Sequence, residues 1–384
     1  MERVSKGPSA GDEQDDEQPD DQFVAPDYGG ACVSNVVPAL LEWSHTPAWL
    51  PTTARAEQVV LLVLDGLGWE QLQERRLLAP TLSHMSGGAI TTIAPSTTAA
   101  ALTSITTGLP PGEHGIVGYR MWVESDVLNV LRWSTPRGDC RKVYVPGKLQ
   151  YHEPFAGQRP PVVTRAEFVD TGFTHAHLAG ARFYGYRMAS SMVTQVAQLV
   201  RQGEPFVYAY YEGIDKVAHE YGLGPFYDAE LRSADRLVED LIAVLPRYCS
   251  LVITADHGQL ETGNRTIQPH PDVLAHTAAQ SGEARFRWLH ARPGRGRALL
   301  EAAHRHHDVH AWVRSRDEVL RQGWLGPKVS EEAASRLGEV ALAAKGTLAF
   351  FDPADTGPFA LLGRHGSLTP AEMLVPLLVT SGGE

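Results

Sequence analysis

Cysteine is scarce in this sequence. Cys32, Cys140 and Cys249 are the three among 384 residues, widely spaced and odd in number, which argues against a disulfide framework and a cysteine-rich zinc site. Cys249 stands beside an apolar strand and reads as core. No apolar run approaches the ~20 residues that a membrane-spanning helix needs, so no membrane span is expected. The start, Met1-Glu-Arg-Val-Ser-Lys, leads into acid instead of an apolar signal core, and the expected location is cytoplasmic. Basic residues are outnumbered: 34 Lys and Arg against 45 Asp and Glu give a formal net charge of -11. That balance disfavours a broad nucleic-acid or acidic-membrane surface, because both attract basic patches.

Much of the acid is local. Gly11-Asp-Glu-Gln-Asp-Asp-Glu-Gln-Pro-Asp-Asp21 holds seven acids and no base, so residues 1–27 are expected to form a disordered, solvated tail. The whole chain is 43% hydrophobic and 21% charged, enough for a sizeable globular core. Residues 28–384 read as one body, with a smaller inserted subdomain at about 259–345, where the sequence turns more polar and mixed.

That body is organised around Gln58-Val-Val-Leu-Leu-Val-Leu-Asp65-Gly-Leu-Gly68. An unbroken apolar run that stops at a carboxylate and two glycines predicts a buried strand ending in a turn. A strand apolar on both faces suits a mostly parallel central sheet with helices on both faces, an α/β fold whose ligands bind at the carboxyl ends of the strands. Ala89–Ile93, Phe206–Tyr211, Ser250–Thr254, Thr347–Phe351 and Met373–Val379 are further predicted strands. The opening reads as a βαβ unit, and Val36–Leu41 as a lead-in packed on the outside of the sheet. Between the third and fourth strands, Leu231, Leu237, Val238, Leu241 and Ile242 mark the apolar face of a helix.

Acids and histidines recur where these strands end: Asp65; Asp215-Lys-Val-Ala-His219; Asp256-His257-Gly258; and Gly363-Arg-His365-Gly366. Asp215 and His219, four apart, share one face of a helical turn and can grip one ion. Carboxylate plus imidazole is a zinc-type set more than a calcium-type one. Taken singly, Asp65 is a helix cap and any one histidine a hydrogen-bonded bystander. Their joint recurrence at successive strand ends points to two metals, which about 3.5–4 Å apart suit displacement at phosphorus. A nucleophile at a helix N-terminus is then wanted. Thr98 opens the Ala-rich run after Pro95, with N-capping as the plainer role for Thr97 and Thr98.

From about Gln58 onward the chain resembles the alkaline phosphatase superfamily, and within it the type I phosphodiesterase/nucleotide pyrophosphatase branch. The matching elements follow the branch's order. After Asp65 come Pro95-Ser-Thr-Thr98, Thr107-Gly108 and Pro111-Gly-Glu-His114-Gly-Ile116; then Asp215 to Gly222 as Asp-x-x-x-His-x-x-Gly, Asp256-His257-Gly258 and His365-Gly366. The resemblance implies that Asp65, Thr98, Asp256 and His257 hold one metal and Asp215, His219 and His365 the other, with zinc expected and manganese the alternative. It implies Thr98 as nucleophile, Thr97 being the weaker choice, and a covalent phosphothreonine that water then hydrolyses. One position departs from the branch: Tyr119 stands where an Asn commonly donates to a phosphate oxygen, which bears on the substrate more than on the reaction.

The function so implied is a two-metal hydrolase of phosphate esters, with phosphodiester or nucleotide pyrophosphate bonds favoured and a small-molecule phosphate ester as substrate. Phosphomonoester or phosphonate hydrolysis, or phosphotransfer and mutase chemistry, is the alternative. A non-enzymatic metal-stabilised scaffold has no need for an open bimetallic site with a placed hydroxyl.

Overall fold

A computed structural model of the chain describes residues 22–42, 46–355 and 360–383. Its centre is a seven-stranded sheet. Across the sheet the strands run Ser86–Thr91, Leu374–Ser381, Cys249–Thr254, Gln58–Leu64, Phe206–Tyr211, Pro161–Arg165 and Arg182–Tyr186. Gln58–Leu64 is buried along its whole length and pairs in parallel with Cys249–Thr254 on one side and Phe206–Tyr211 on the other. Such two-sided burial requires helices over both faces. Leu374–Ser381 alone runs against its two neighbours. The fold is therefore the expected α/β sheet, mostly parallel.

Register fixes the site. Val63 lies opposite both Thr254 and Tyr210, so three adjacent strands finish level and deliver Asp65, Asp256 and the Asp215 helix to one edge. The helix Pro225–Val244 buries Leu231, Leu237, Val238 and Leu241 as its pattern predicts.

The βαβ reading of the opening needs correction. Ser86–Thr91 sits at the sheet edge, separated from Gln58–Leu64 by Leu374–Ser381 and Cys249–Thr254. Its composition explains the place: the strand is largely exposed, and Gly87, at φ +143°, lies so close to its neighbour that a Cβ would sit 1.9 Å from the Leu377 carbonyl. Thr347–Phe351 also fails to join the central sheet. Only Ala349–Phe350 is extended, pairing with Thr266–Ile267, because the Gly346 and Leu348 carbonyls accept from the Arg285 guanidinium instead of a strand. The lead-in Val36–Leu41 is a short helix packed against the helix Thr98–Thr107. Pro38 occupies the space a Cβ on Gly108 would need, 2.5 Å away.

Within the expected insertion, Thr277–Gly282, Phe286–Ala291, Val340–Ala344 and Ala311–Ser315 form a second, antiparallel sheet. Leu289, Leu299, Val313, Val340, Leu342 and Phe350 give it a core of its own. Of the expected tail, residues 1–21 lie outside the described residues, while 22–27 lie on the body. Phe23 meets Trp312 edge-on at 5.5 Å, and the Val24 N–H donates to the Leu368 carbonyl at 2.9 Å. The acid-only pattern stops at Asp21, and the first apolar side chains after it pack. Among the described residues no helix is long and apolar enough to cross a membrane, and all three cysteines are free and buried.

Candidate active site

Asp65 leaves the buried strand at a turn where Gly66 takes φ +74°. The Tyr210 hydroxyl donates to its Oδ2, and its Oδ1 has no donor among the described residues. Asp256 shows the same division. Its Oδ1 accepts from the N–H groups of Gly66 and His257, each at 3.1 Å, and its buried Oδ2 is bare. Both bare oxygens lie 3.4 Å from His257 Nε2. Burial first, then the Asp256 and Asp215 charges, push the Asp65 carboxyl well above its usual range. Burial likewise raises Asp256. Carboxylates held this close and this dry lack a positive partner.

The second half of the cluster adjoins the first. Asp215 lies in the first turn of the helix Gly213–Tyr221, its N–H donating to the Asp65 carbonyl at 3.1 Å. Asp215 Oδ1 is 3.2 Å from His219 Nε2 and 3.7 Å from His365 Nε2. The His257 and His365 rings stack, 3.5 Å between centroids and 11° from parallel. Burial, reinforced by His257 and His219, holds His365 well below the usual imidazole pKa, so the ring is neutral.

The tautomers agree. His257 Nδ1 faces the Gly258 carbonyl at 3.0 Å, His219 Nδ1 the Gly363 carbonyl at 2.7 Å, and His365 Nδ1 the Ser96 carbonyl at 2.9 Å. A carbonyl oxygen only accepts, so each Nδ1 carries a proton, and in the neutral ring that metal binding requires it is Nε2 that turns its lone pair toward the carboxylates. Asp65, Asp256 and His257 form one group, and Asp215, His257 and His365 another, whose ligand atoms lie within 4.8 Å of one another. Bare carboxylate oxygens and aimed imidazole nitrogens are the donor set of a divalent transition metal.

Thr98 is the first residue of the helix Thr98–Thr107, and its Oγ1 lies 3.0 Å from His257 Nε2. The capping role fails locally: Thr97 is the N-cap, but its side chain makes no capping bond and meets Glu283 instead. The first turn thus keeps its N–H groups for another acceptor.

Tyr119 stands apart from the metal-type cluster in its bonding. Its hydroxyl accepts from Asn129 Nδ2 at 2.7 Å, which leaves its proton free for an acceptor, and burial followed by the Asp355 charge raises its pKa. His114 is a structural clasp. Its Nδ1 accepts from the Ile116 N–H at 3.1 Å, its Nε2 pairs with Ser104 Oγ at 2.9 Å, and burial pushes it down to about 3.

The motifs did not reveal three neighbours. Tyr210 holds Asp65, Gln259 donates to Asp215 Oδ1, and Glu283 packs by Thr97 with Oε2 3.8 Å from His365 Nδ1. Gln259 directly follows Asp256-His257-Gly258, a positional hint. Tyr210 reads as one more apolar strand residue, and Glu283 carries no signal.

The fold has solved counterparts. Human ectonucleotide pyrophosphatase/phosphodiesterase 5 superposes with a TM-score of 0.63 at 17% identity, over 84% of this chain and 87% of that one. The murine protein gives 0.62 at 16%, over 83% and 87%. Phosphonoacetate hydrolase from Sinorhizobium meliloti, in complex with phosphonoacetate, gives 0.61 at 17%, over 84% and 90%. No curated protein sequence matches the chain. The sequence model of the type I phosphodiesterase / nucleotide pyrophosphatase family does match, over residues 59–368, a span that takes in every candidate ligand from Asp65 to His365, and the chain belongs to that family of phosphoester hydrolases.

Proposed function

We propose that the chain hydrolyses phosphodiester or nucleotide pyrophosphate bonds with two divalent cations, zinc by preference, and with Thr98 as nucleophile. One observation carries the reading. The Thr98 hydroxyl, at an uncapped helix N-terminus, lies 3.0 Å from His257 Nε2, and His257 is the member common to the two candidate ligand groups. Asp65, Asp256 and His257 would hold the inner cation beside Thr98, and Asp215, His219 and His365 the outer one. The cations supply positive charge that favours the deprotonated hydroxyl and offsets charge building on the phosphoryl oxygens.

The chain's own groups do the rest. Thr98 Oγ forms a bond to phosphorus as the bond to the leaving oxygen breaks, which yields a phosphothreonine ester. The N–H groups of the first turn after Thr97 donate to the phosphoryl oxygens. Water then attacks phosphorus and the Thr98–phosphorus bond breaks: water's hydroxyl stays on phosphorus and its proton goes to Thr98 Oγ, replacing the proton that left with the departing oxygen in the first step. The murine relative, inactive as a threonine-to-alanine variant and solved in complex with AMP, supports both a threonine nucleophile and a nucleotide product. Likeness to the phosphonoacetate hydrolase favours a second reading, phosphonate hydrolysis, with Tyr119 reshaping the pocket.

The test is to purify the protein and assay bis(p-nitrophenyl) phosphate, p-nitrophenyl phosphate and phosphonoacetate on the same metal-analysed sample. Diester turnover with two divalent ions bound supports the proposal. Turnover of phosphonoacetate alone selects the second reading, and no bound metal contradicts both.

A further inference from the structure

The two buried carboxylates at the inner position are divided in the same way but by different means. Asp256 has one oxygen taken by two backbone N–H groups, donors that any side chains would leave in place. Asp65 has one oxygen taken by a side chain from the neighbouring strand, the Tyr210 hydroxyl. Each is left with a single bare oxygen, Asp65 Oδ1 and Asp256 Oδ2, and both face His257 Nε2 at 3.4 Å. The result is three single-atom donors converging in a pocket that excludes water, with Asp65, Asp256 and His257 all buried.

We propose that Tyr210 is a positioning residue for the inner cation: by holding Asp65 Oδ2 it turns Oδ1 alone into the site and so selects a small, zinc-type ion over one that takes both carboxylate oxygens. The inference rests on the two-metal reading above and adds a residue that acts through Asp65. A freed carboxylate rotates about its Cβ–Cγ bond and can offer two oxygens, as calcium sites use them. A bonded one offers one oxygen, in keeping with four-coordinate zinc. Outer partners of this kind typically govern ~10–100-fold in metal affinity.

The neighbouring strand also provides the control. Tyr208 lies two residues before Tyr210 and so on the same face of the strand, it is also buried, and its hydroxyl has no hydrogen-bond partner among the described residues. Its ring meets Phe155 where that of Tyr210 meets Phe168, so it matches Tyr210 in strand, face and burial but lacks the hydrogen bond to Asp65.

The experiment compares wild type, Tyr210→Phe and Tyr208→Phe, each loaded with zinc and then titrated with a chromophoric chelator of known affinity, and each melted in metal-free form. The expected result is two zinc ions in wild type, one of them weakened by ~10–100-fold in Tyr210→Phe and the other unchanged, with Tyr208→Phe like wild type. In Tyr210→Phe the preference for zinc over calcium should also narrow. Unaltered zinc affinity in Tyr210→Phe, equal weakening at both positions, or an equal effect of Tyr208→Phe would each overturn the proposal. Wild type that binds no zinc would instead defeat the two-metal reading and this inference with it. Two zinc ions with no effect of Tyr210→Phe defeats the inference alone.

Discussion

Thr98 Oγ1 and His257 Nε2 lie 3.0 Å apart although 159 residues separate them in the chain. Nothing local brings them together. The helix that Thr98 opens follows the edge strand Ser86–Thr91, which is joined to the strand leading to His257, Cys249–Thr254, only through Leu374–Ser381 between them.

Thr98→Ala is expected to abolish turnover while the fold and the imidazole and carboxylate ligands remain. Thr98→Ser keeps the hydroxyl and should retain measurable activity. Thr97→Ala removes a contact with Glu283 and should cost less than the ~10²–10³ in kcat that loss of one oriented donor costs. Steady-state rates, with metal content measured on the same samples, decide the matter. Full activity in Thr98→Ala with loss in Thr97→Ala would move the nucleophile one residue earlier.

At the outer position the prediction concerns stoichiometry. His219→Ala takes away an imidazole 3.2 Å from Asp215 Oδ1 and should lower bound metal from two ions to one. The loss of affinity should exceed the ~10–100-fold cost of removing an outer hydrogen-bond partner. Elemental analysis after dialysis against trace zinc reads it directly. Retention of both ions would place His219 outside the site.

Tyr119→Asn should change the ratio of diester to monoester hydrolysis and not eliminate both. The phenol already accepts from Asn129, so its proton is available to a substrate oxygen, and Asn in its place presents a shorter donor. Comparing kcat/KM for the two nitrophenyl esters tests it. An unchanged ratio would remove Tyr119 from the pocket.

Stability should fall with acid because of buried neutral histidines. Burial holds the His114 pKa at about 3 against an ordinary 6.5. The unfolded chain therefore takes up a proton first as pH falls below 6.5, and the folded state loses stability across the window from there to about 3. At pH 4.5 this one group accounts for on the order of 3 kcal/mol. His114→Gln should flatten the decline in urea midpoint between pH 7 and 4.5. A slope identical to wild type would contradict the buried clasp. Phe23→Ala, which removes the edge-on contact with Trp312, should cost about 1 kcal/mol.

The sequence already carried the candidate ligands, because each follows an apolar run whose end is marked by a glycine or an acid. Parallel pairing then makes the ends that lead to Asp65, Asp215 and Asp256 converge, whereas His365 follows Gly363–Arg364, a two-residue strand antiparallel to Leu260–Glu261 outside the central sheet. The three partners that orient the ligands were not legible, since Tyr210 reaches Asp65 across 145 residues and Gln259 reaches Asp215 across 44. No local pattern encodes such a contact. Two central-sheet strands, Pro161–Arg165 and Arg182–Tyr186, were also missed. The latter is a half-buried edge strand interrupted by Gly185, with no apolar run to announce it. The meander from Arg120 to Asp139 is built of strands two to four residues long, below the length at which alternation can be read.

The most direct test of the account is to trap the covalent ester. Zinc-loaded wild type mixed with bis(p-nitrophenyl) phosphate, quenched in acid within the first turnover and digested, should yield one modified peptide, with the p-nitrophenyl phosphoryl group on Thr98. Thr98→Ala should yield none. An adduct on another residue, or rapid turnover with no adduct at any quench time, would contradict Thr98 as the nucleophile.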